Sequence, residues 1–200
     1  MVRALLDGGK THPRRAVAPP RVRSSFVLED HGTGWWPYQS DDGETSLCND
    51  GMEHPYCCPY GQPGDRLWVR ESFAHVYRDN REPEHRSPED VAYMAGGMQP
   101  DHDVYGSWKP SIHMPRWASR ILLEVTDVRV ERLKDISEAD AVAEGIVPQR
   151  GGGFGLPDTT HYHSADPRMS YWALWEAING SGSVESNPWV WAVSFRRIKP

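Results

Sequence analysis

Between Ser119 and Leu133 apolar side chains stand at Ile121, Leu123 and Val125, and then at Val128 and Val130. A spacing of two puts one face of a strand on a core. The interval of three between Val125 and Val128 would turn the second half outward unless an extra residue near Thr126-Asp127 restores the phase. The stretch therefore predicts one long strand with a bulge or tight bend, as barrel strands have. A second alternation, Trp189, Trp191, Val193 and Phe195, predicts that the C-terminal segment 189–198 is tied into the sheet.

Shorter signals fill in the rest. Val2–Leu6 reads as a short helix stopped by Gly8-Gly9, which delivers Lys10 and Thr11 at the end of a turn. Val22–Leu28 reads as a strand. The Gly61-Gln62-Pro63-Gly64-Asp65 turn releases a strand from Arg66, with Leu67 and Val69 on one face. Ser137 caps a short helix that carries acids in its first turn and ends at Glu144-Gly145. Asp166-Pro167 opens a helix with Tyr171, Trp172, Leu174, Trp175 and Ile178 on its apolar stripe, stopped by Gly180. The polar stretch from about 29 to 60 reads as a long loop or inserted hairpin. The stretch from about 78 to 115 reads as irregular, with a short helix at Pro88–Met94.

Eighteen glycines and 17 prolines fit a small sheet or barrel with large loops. No apolar run approaches the roughly 18 to 20 residues that cross a bilayer, and no apolar leader follows Met1. The expectation is a soluble, cytoplasmic protein without a membrane partner, and the odd count of three cysteines fits a reducing compartment. The net charge of −6 is uneven: residues 1–28 hold six basic side chains against Asp7, a local +5, which leaves −11 for the rest. An anionic ligand would be met at the basic turn Gly9-Lys10-Thr11-His12-Pro13-Arg14-Arg15, unless these side chains merely solvate an arm.

Other motifs narrow the chemistry. Cys48, His54, Cys57 and Cys58 are zinc-ligand types, but adjacent cysteines ligate one ion awkwardly and no second paired pattern follows, so neither metal nor cofactor is assigned. There is no Gly-rich phosphate loop ending in Lys-Ser/Thr and no Gly-x-Ser-x-Gly elbow, which disfavours nucleoside triphosphatases and serine hydrolases. In Lys109-Pro110-Ser111-Ile112-His113-Met114-Pro115-Arg116-Trp117, two prolines fix the backbone around a hydroxyl, an imidazole, a guanidinium and an indole. Such a loop suits base or phosphate recognition, since indole faces stack bases and Arg binds anions. It equally suits a structural cover over a barrel mouth.

Four motifs together resemble phage and prophage proteins of the ASCH domain family. They are Gly9-Lys10-Thr11-x-x-Arg14-Arg15, the run Cys58-Pro59-Tyr60-Gly61-Gln62-Pro63-Gly64-Asp65 through Glu71, the run Pro110–Ile121, and Asn187-Pro188-Trp189-Val190-Trp191. The resemblance spans nearly the whole chain. It implies an α+β fold: one PUA-like small β-barrel with flanking helices over residues 1–200, carrying the two long insertions. It also implies a cleft that binds RNA or a modified nucleoside, lined by Lys10, Arg14, Arg15, Ser111, His113, Arg116 and Glu144, with Trp117 stacking on the base.

A more distant likeness is to a compact bacterial branch that hydrolyses N4-acetylcytidine, in which a Lys, a Thr and a Glu are assigned the chemistry. The Lys falls on Lys10, the Glu on Glu144 and the Thr on Pro13, which has no hydroxyl to act as a nucleophile. Thr11 or a water would have to stand in. The resemblance thus implies recognition of RNA or a modified nucleoside first, an amidohydrolase acting on N4-acylated cytidine second, and a phage assembly or host-interaction protein with no small ligand third.

Overall fold

The computed structural model describes residues 2–17, 26–30, 35–41, 44–45, 58–76, 90–97, 106–157 and 161–199. The two alternating segments form its centre. Strand β8 (Leu122–Arg132) pairs antiparallel with β11 (Trp189–Ile198) along their full lengths. The register shifts between Ser194, opposite Asp127, and Phe195, opposite Val125. Thr126 is the extra residue, a bulge that keeps Val125, Val128 and Val130 in one apolar cluster.

Around this pair the sheet runs β1 (Arg14–Ala16), β11, β8, β3 (Trp35–Asp41), β2 (Phe26–Asp30), every pairing antiparallel, in a curled half-barrel, while β9 (Val147–Pro148) and β10 (Phe154–Gly155) pair separately. Strand β1 (Arg14–Ala16) borders β11. On the far edge of β8, strand β5 (Arg66–Trp68) pairs at Leu122–Glu124, and β3 (Trp35–Asp41) touches at Val130 through Trp35. Strands β2 (Phe26–Asp30) and β3 form a hairpin, and β4 (Glu44–Thr45) adds to β3. The polar 29–60 stretch thus contributes a hairpin to the sheet, and Trp36 meets Trp191 edge to face at 5.3 Å.

Strand β11 is buried on both faces because each face meets a different layer. Trp191 and Val193 pack with Cys58, Val125 and Val130, and Phe195 packs with Leu5, Ile121 and Leu123. Val190, on the opposite face, packs with Ile136, Ala141, Ile146, Tyr171 and Trp175. These come largely from α2 (Glu138–Ala143), α3 (Pro167–Asn179) and their flanks. Both helices start as their caps predict: the Ser137 hydroxyl accepts from the Asp140 N–H, and the Asp166 carboxylate from the Arg168 N–H. Each such cap contributes about 1 kcal/mol. Ile178 departs from the predicted stripe and is exposed. Helix α1 (Val2–Leu6) buries Leu5 and stops at Gly8, whose φ of 73° glycine tolerates best.

Of the helix predicted at Pro88–Met94, residues 88–89 lie outside the described residues, and a strand takes the place of a helix in the rest. β7 (Val91–Tyr93) pairs with β6 (Phe73–His75), followed by a single 3-10 turn at Met94–Gly96. Val91, Ala92 and Tyr93 are all buried, which a lone amphipathic turn would not achieve. Of the strand expected at Val22–Leu28, residues 22–25 lie outside the described residues, and β2 begins at Phe26. Among the described residues no helix is long and apolar enough to cross a membrane.

Candidate functional site

The basic turn runs along the edge of β11 and leads into β1. The Thr11 and Pro13 carbonyls accept from the Phe195 and Val193 N–H groups at 3.1 Å, and β1 continues the pairing. Proline suits an edge, where a missing N–H leaves no ladder partner orphaned. On the other side, the Thr11 and His12 N–H groups both donate to the Ala143 carbonyl, at 2.8 and 3.2 Å, which fastens the turn to the C-terminal end of α2. That contact brings Lys10 to Glu144. The ammonium lies 2.6 Å from Glu144 Oε2 and donates to the Glu144 carbonyl at 2.9 Å. A cation on the last carbonyls of a helix is also favoured by the helix dipole.

Strand alternation sends Arg14 inward and Arg15 outward. The Arg14 side chain is fully buried. Its Nε donates to Glu131 at 2.8 Å, and one terminal nitrogen lies 2.6 Å from Glu131 and 3.0 Å from Asp140. The other terminal nitrogen lies 3.8 Å from Glu144 Oε1. Burial alone would lower the guanidinium pKa, but Glu131 and then Glu144 and Asp140 outweigh it and hold the value above the ordinary one. Burial pulls the Asp140 carboxyl upward, yet Arg14, the Ser137 hydroxyl and Arg129 keep it below the usual range. The Tyr171 phenol is pushed far up, first by burial and then by the Glu144 charge. Arg14 is therefore an internal counter-ion for three carboxylates. Arg15 is exposed and donates to the Arg14 carbonyl.

Chemically, this corner offers a partly exposed ammonium beside a buried carboxylate, joined by a charge-assisted hydrogen bond. Pro13 supplies no hydroxyl. The hydroxyl of Thr11 is 2.7 Å from His12 Nδ1, a pairing that sequence reading did not pick out.

The 109–118 loop builds a different feature. Pro110 and Pro115 each precede a single 3-10 turn, Ser111–His113 and Arg116–Ala118. Buried Met114 and Ala118 anchor the loop, with the Tyr93 hydroxyl donating to the Ala118 carbonyl at 2.8 Å. Lys109 is held against β6 by two backbone hydrogen bonds with Phe73, at 2.8 and 3.2 Å. Phe73, His75, Lys109, His113, Pro115 and Trp117 then enclose a cleft of about 560 Å³. His75 and Trp117 stack at 6.0 Å with planes 26° apart, and Phe73 meets His75 edge on at 5.7 Å.

The predicted site residues thus fall into two groups. Lys10, Arg14 and Glu144 come together at the edge of β11, while His113 and Trp117 line the cleft. Ser111 is half-buried and Arg116 exposed, and neither lines it. Phe73 and His75, the cleft's other wall, carry no local signal, because only the pairing of β6 with β7 and Lys109 places them. Of the metal-type residues, Cys48, His54 and Cys57 lie outside the described residues, and Cys58 is buried with Val125 and Trp191. Comparison with protein-family models, curated proteins and solved structures finds no match to this chain.

Proposed function

We propose that the chain is an ASCH-type protein with a PUA-like barrel that recognises RNA or a modified nucleoside. The observation that carries the reading is the stacked His75–Trp117 pair in a cleft that also holds Lys109 and His113. Aromatic faces accept any base, and stacking contributes about 1–3 kcal/mol per base. Cationic and imidazole N–H groups beside them suit phosphate or a base carbonyl. The curled sheet and the basic turn along β11 are compatible with the barrel that the sequence motifs imply. The test is binding of short single-stranded RNA followed against salt. Affinity that falls with ionic strength and drops about tenfold in Trp117→Ala supports the reading; no measurable RNA affinity together with no nucleoside-induced rise in melting temperature overturns it.

A second reading, amidohydrolysis of N4-acylated cytidine, is favoured by the 2.6 Å contact of Lys10 with Glu144. Here Glu144 orients the ligand or a water, and Lys10 donates to the developing oxyanion. Turnover of N4-acetylcytidine that vanishes in Lys10→Ala and Glu144→Ala would place this reading first. Silence in both assays favours a phage assembly role.

A further inference from the structure

Resting on the recognition reading above, we propose that the Trp117 cleft takes a base bearing a terminal phosphate, with the phosphomonoester held by Lys109 and His113. The polarity of the cleft motivates this. Among the described residues that line it, six in all, none is a carboxylate, although the chain as a whole carries −6. Among the described residues, the Lys109 ammonium has no ion-pair partner, and the His113 imidazole has neither an ion-pair nor a hydrogen-bond partner. Of the other cationic groups near this loop, Arg120 is engaged by Glu71 in a bidentate pair at 2.9 Å, Arg70 lies over the Trp68 ring, and exposed Arg116 does not line the cleft. Lys109 and His113 are thus left for an external anion.

Their placement is fixed by the backbone. Lys109 is clamped to Phe73 on one side, and Pro110 and the following 3-10 turn set His113 four residues on. The aromatic stack formed by His75 and Trp117 lines the same cleft. A volume of about 560 Å³ is in the range of pockets that hold one small ligand, not a strand of several bases. A neutral nucleoside would satisfy the aromatic wall and leave both nitrogen groups without an anion. A terminal phosphate, with up to two charges, meets both by charge-assisted hydrogen bonds.

The ligand class is shared by free nucleoside monophosphates and by strands with a phosphorylated end, and calorimetric titration separates them. The probes are CMP, cytidine, inorganic phosphate, and a short oligoribonucleotide with and without a 5′-phosphate. CMP is expected to bind about ten- to a hundredfold more tightly than cytidine, a gap that Lys109→Ala or His113→Ala reduces about tenfold by weakening CMP more than cytidine. Arg150→Ala, which removes an exposed positive charge elsewhere, controls for net charge and leaves the gap intact. The phosphorylated oligonucleotide outbinding CMP assigns the cleft to strand ends; the reverse assigns it to free nucleotides. Equal binding of CMP and cytidine overturns the phosphate assignment and leaves nucleoside recognition standing. Inorganic phosphate binding as tightly as CMP reduces the cleft to a bare anion site and overturns the proposal. Retention of single-stranded RNA affinity with no binding of CMP or of the phosphorylated end overturns the proposal alone, whereas loss of all binding overturns the recognition reading as well.

Discussion

The Lys10 ammonium donates to both the side chain and the carbonyl of Glu144, 134 residues further along the chain, at 2.6 and 2.9 Å. The contact joins the edge of the sheet to the end of α2, beside Gly145. A Cβ at Gly145 would come within 3.8 Å of Lys10 Cβ and 3.9 Å of Ala4 Cβ.

Loss of Glu144 should destabilise the protein more than loss of Lys10. Glu144→Ala strips the carboxylate from Lys10 and removes a nearby negative charge from buried Arg14, a change that costs about 3–5 kcal/mol where a buried charge loses its partner. Lys10→Ala leaves Arg14 beside the carboxylate and costs about 1.5–3 kcal/mol. Urea unfolding of the two variants measures the order, and a Glu144→Ala loss no greater than the Lys10→Ala loss contradicts it.

Asp140 should contribute to stability only above the acid range. Its folded-state pKa lies below the reference value of 3.8, since Arg14, Ser137 and Arg129 outweigh the effect of burial. Its contribution is therefore complete above about pH 5 and is lost as pH falls through 3.8 toward the folded value. Wild type should be more stable than Asp140→Asn at pH 7, and the gap should close toward pH 3. Thermal unfolding across that range gives the answer, and a gap independent of pH rules the linkage out.

Gly145→Ala tests backbone conformation, not space. The φ of Gly145 is 102°, and the nearest atoms stand at ordinary contact distance, so the cost is strain of about 1–2 kcal/mol. A neutral substitution by thermal denaturation would show that the turn relaxes freely.

Pro13→Thr places a hydroxyl where the resemblance to N4-acetylcytidine hydrolases implies one. If the Lys10–Glu144 pair lacks only that group, turnover of N4-acetylcytidine should rise by about a hundredfold over the wild-type rate. The Pro13 carbonyl already accepts from Val193, and an edge strand tolerates the added N–H. A folded variant with no gain in rate would remove the amidohydrolase reading.

Local rules made much of the fold legible. The interval of three in Ile121, Leu123, Val125, Val128 marked the Thr126 bulge, and Ser137, Asp166, Gly145 and Gly180 marked helix ends through backbone groups close in sequence. The segment 91–93 was misread as helix because three buried residues, Val91, Ala92 and Tyr93, carry no alternation, and only pairing with Phe73–His75 makes them a strand. Arg14 was read as a cleft-lining cation for an anionic ligand, with a solvated arm as the alternative, whereas its side chain is buried among carboxylates. Its alternation with Arg15 was a usable signal, but its partners Glu131 and Asp140 lie 117 and 126 residues away. Proximity of Lys10 to Glu144 came from family likeness, not from charge or spacing. Trp117 and His113 were readable within one motif, whereas the wall opposite them depends on long-range pairing.

The most direct test of nucleoside recognition is to follow the tryptophan indole N–H resonances of the uniformly 15N-labelled protein while CMP is added. Trp117→Phe identifies the resonance of Trp117 among the nine tryptophans. The cleft reading predicts that this resonance shifts saturably, together with the backbone amides of Phe73, His75, Lys109 and His113. Shifts confined to Lys10, Thr11 and Glu144, or no shifts at all, would contradict it.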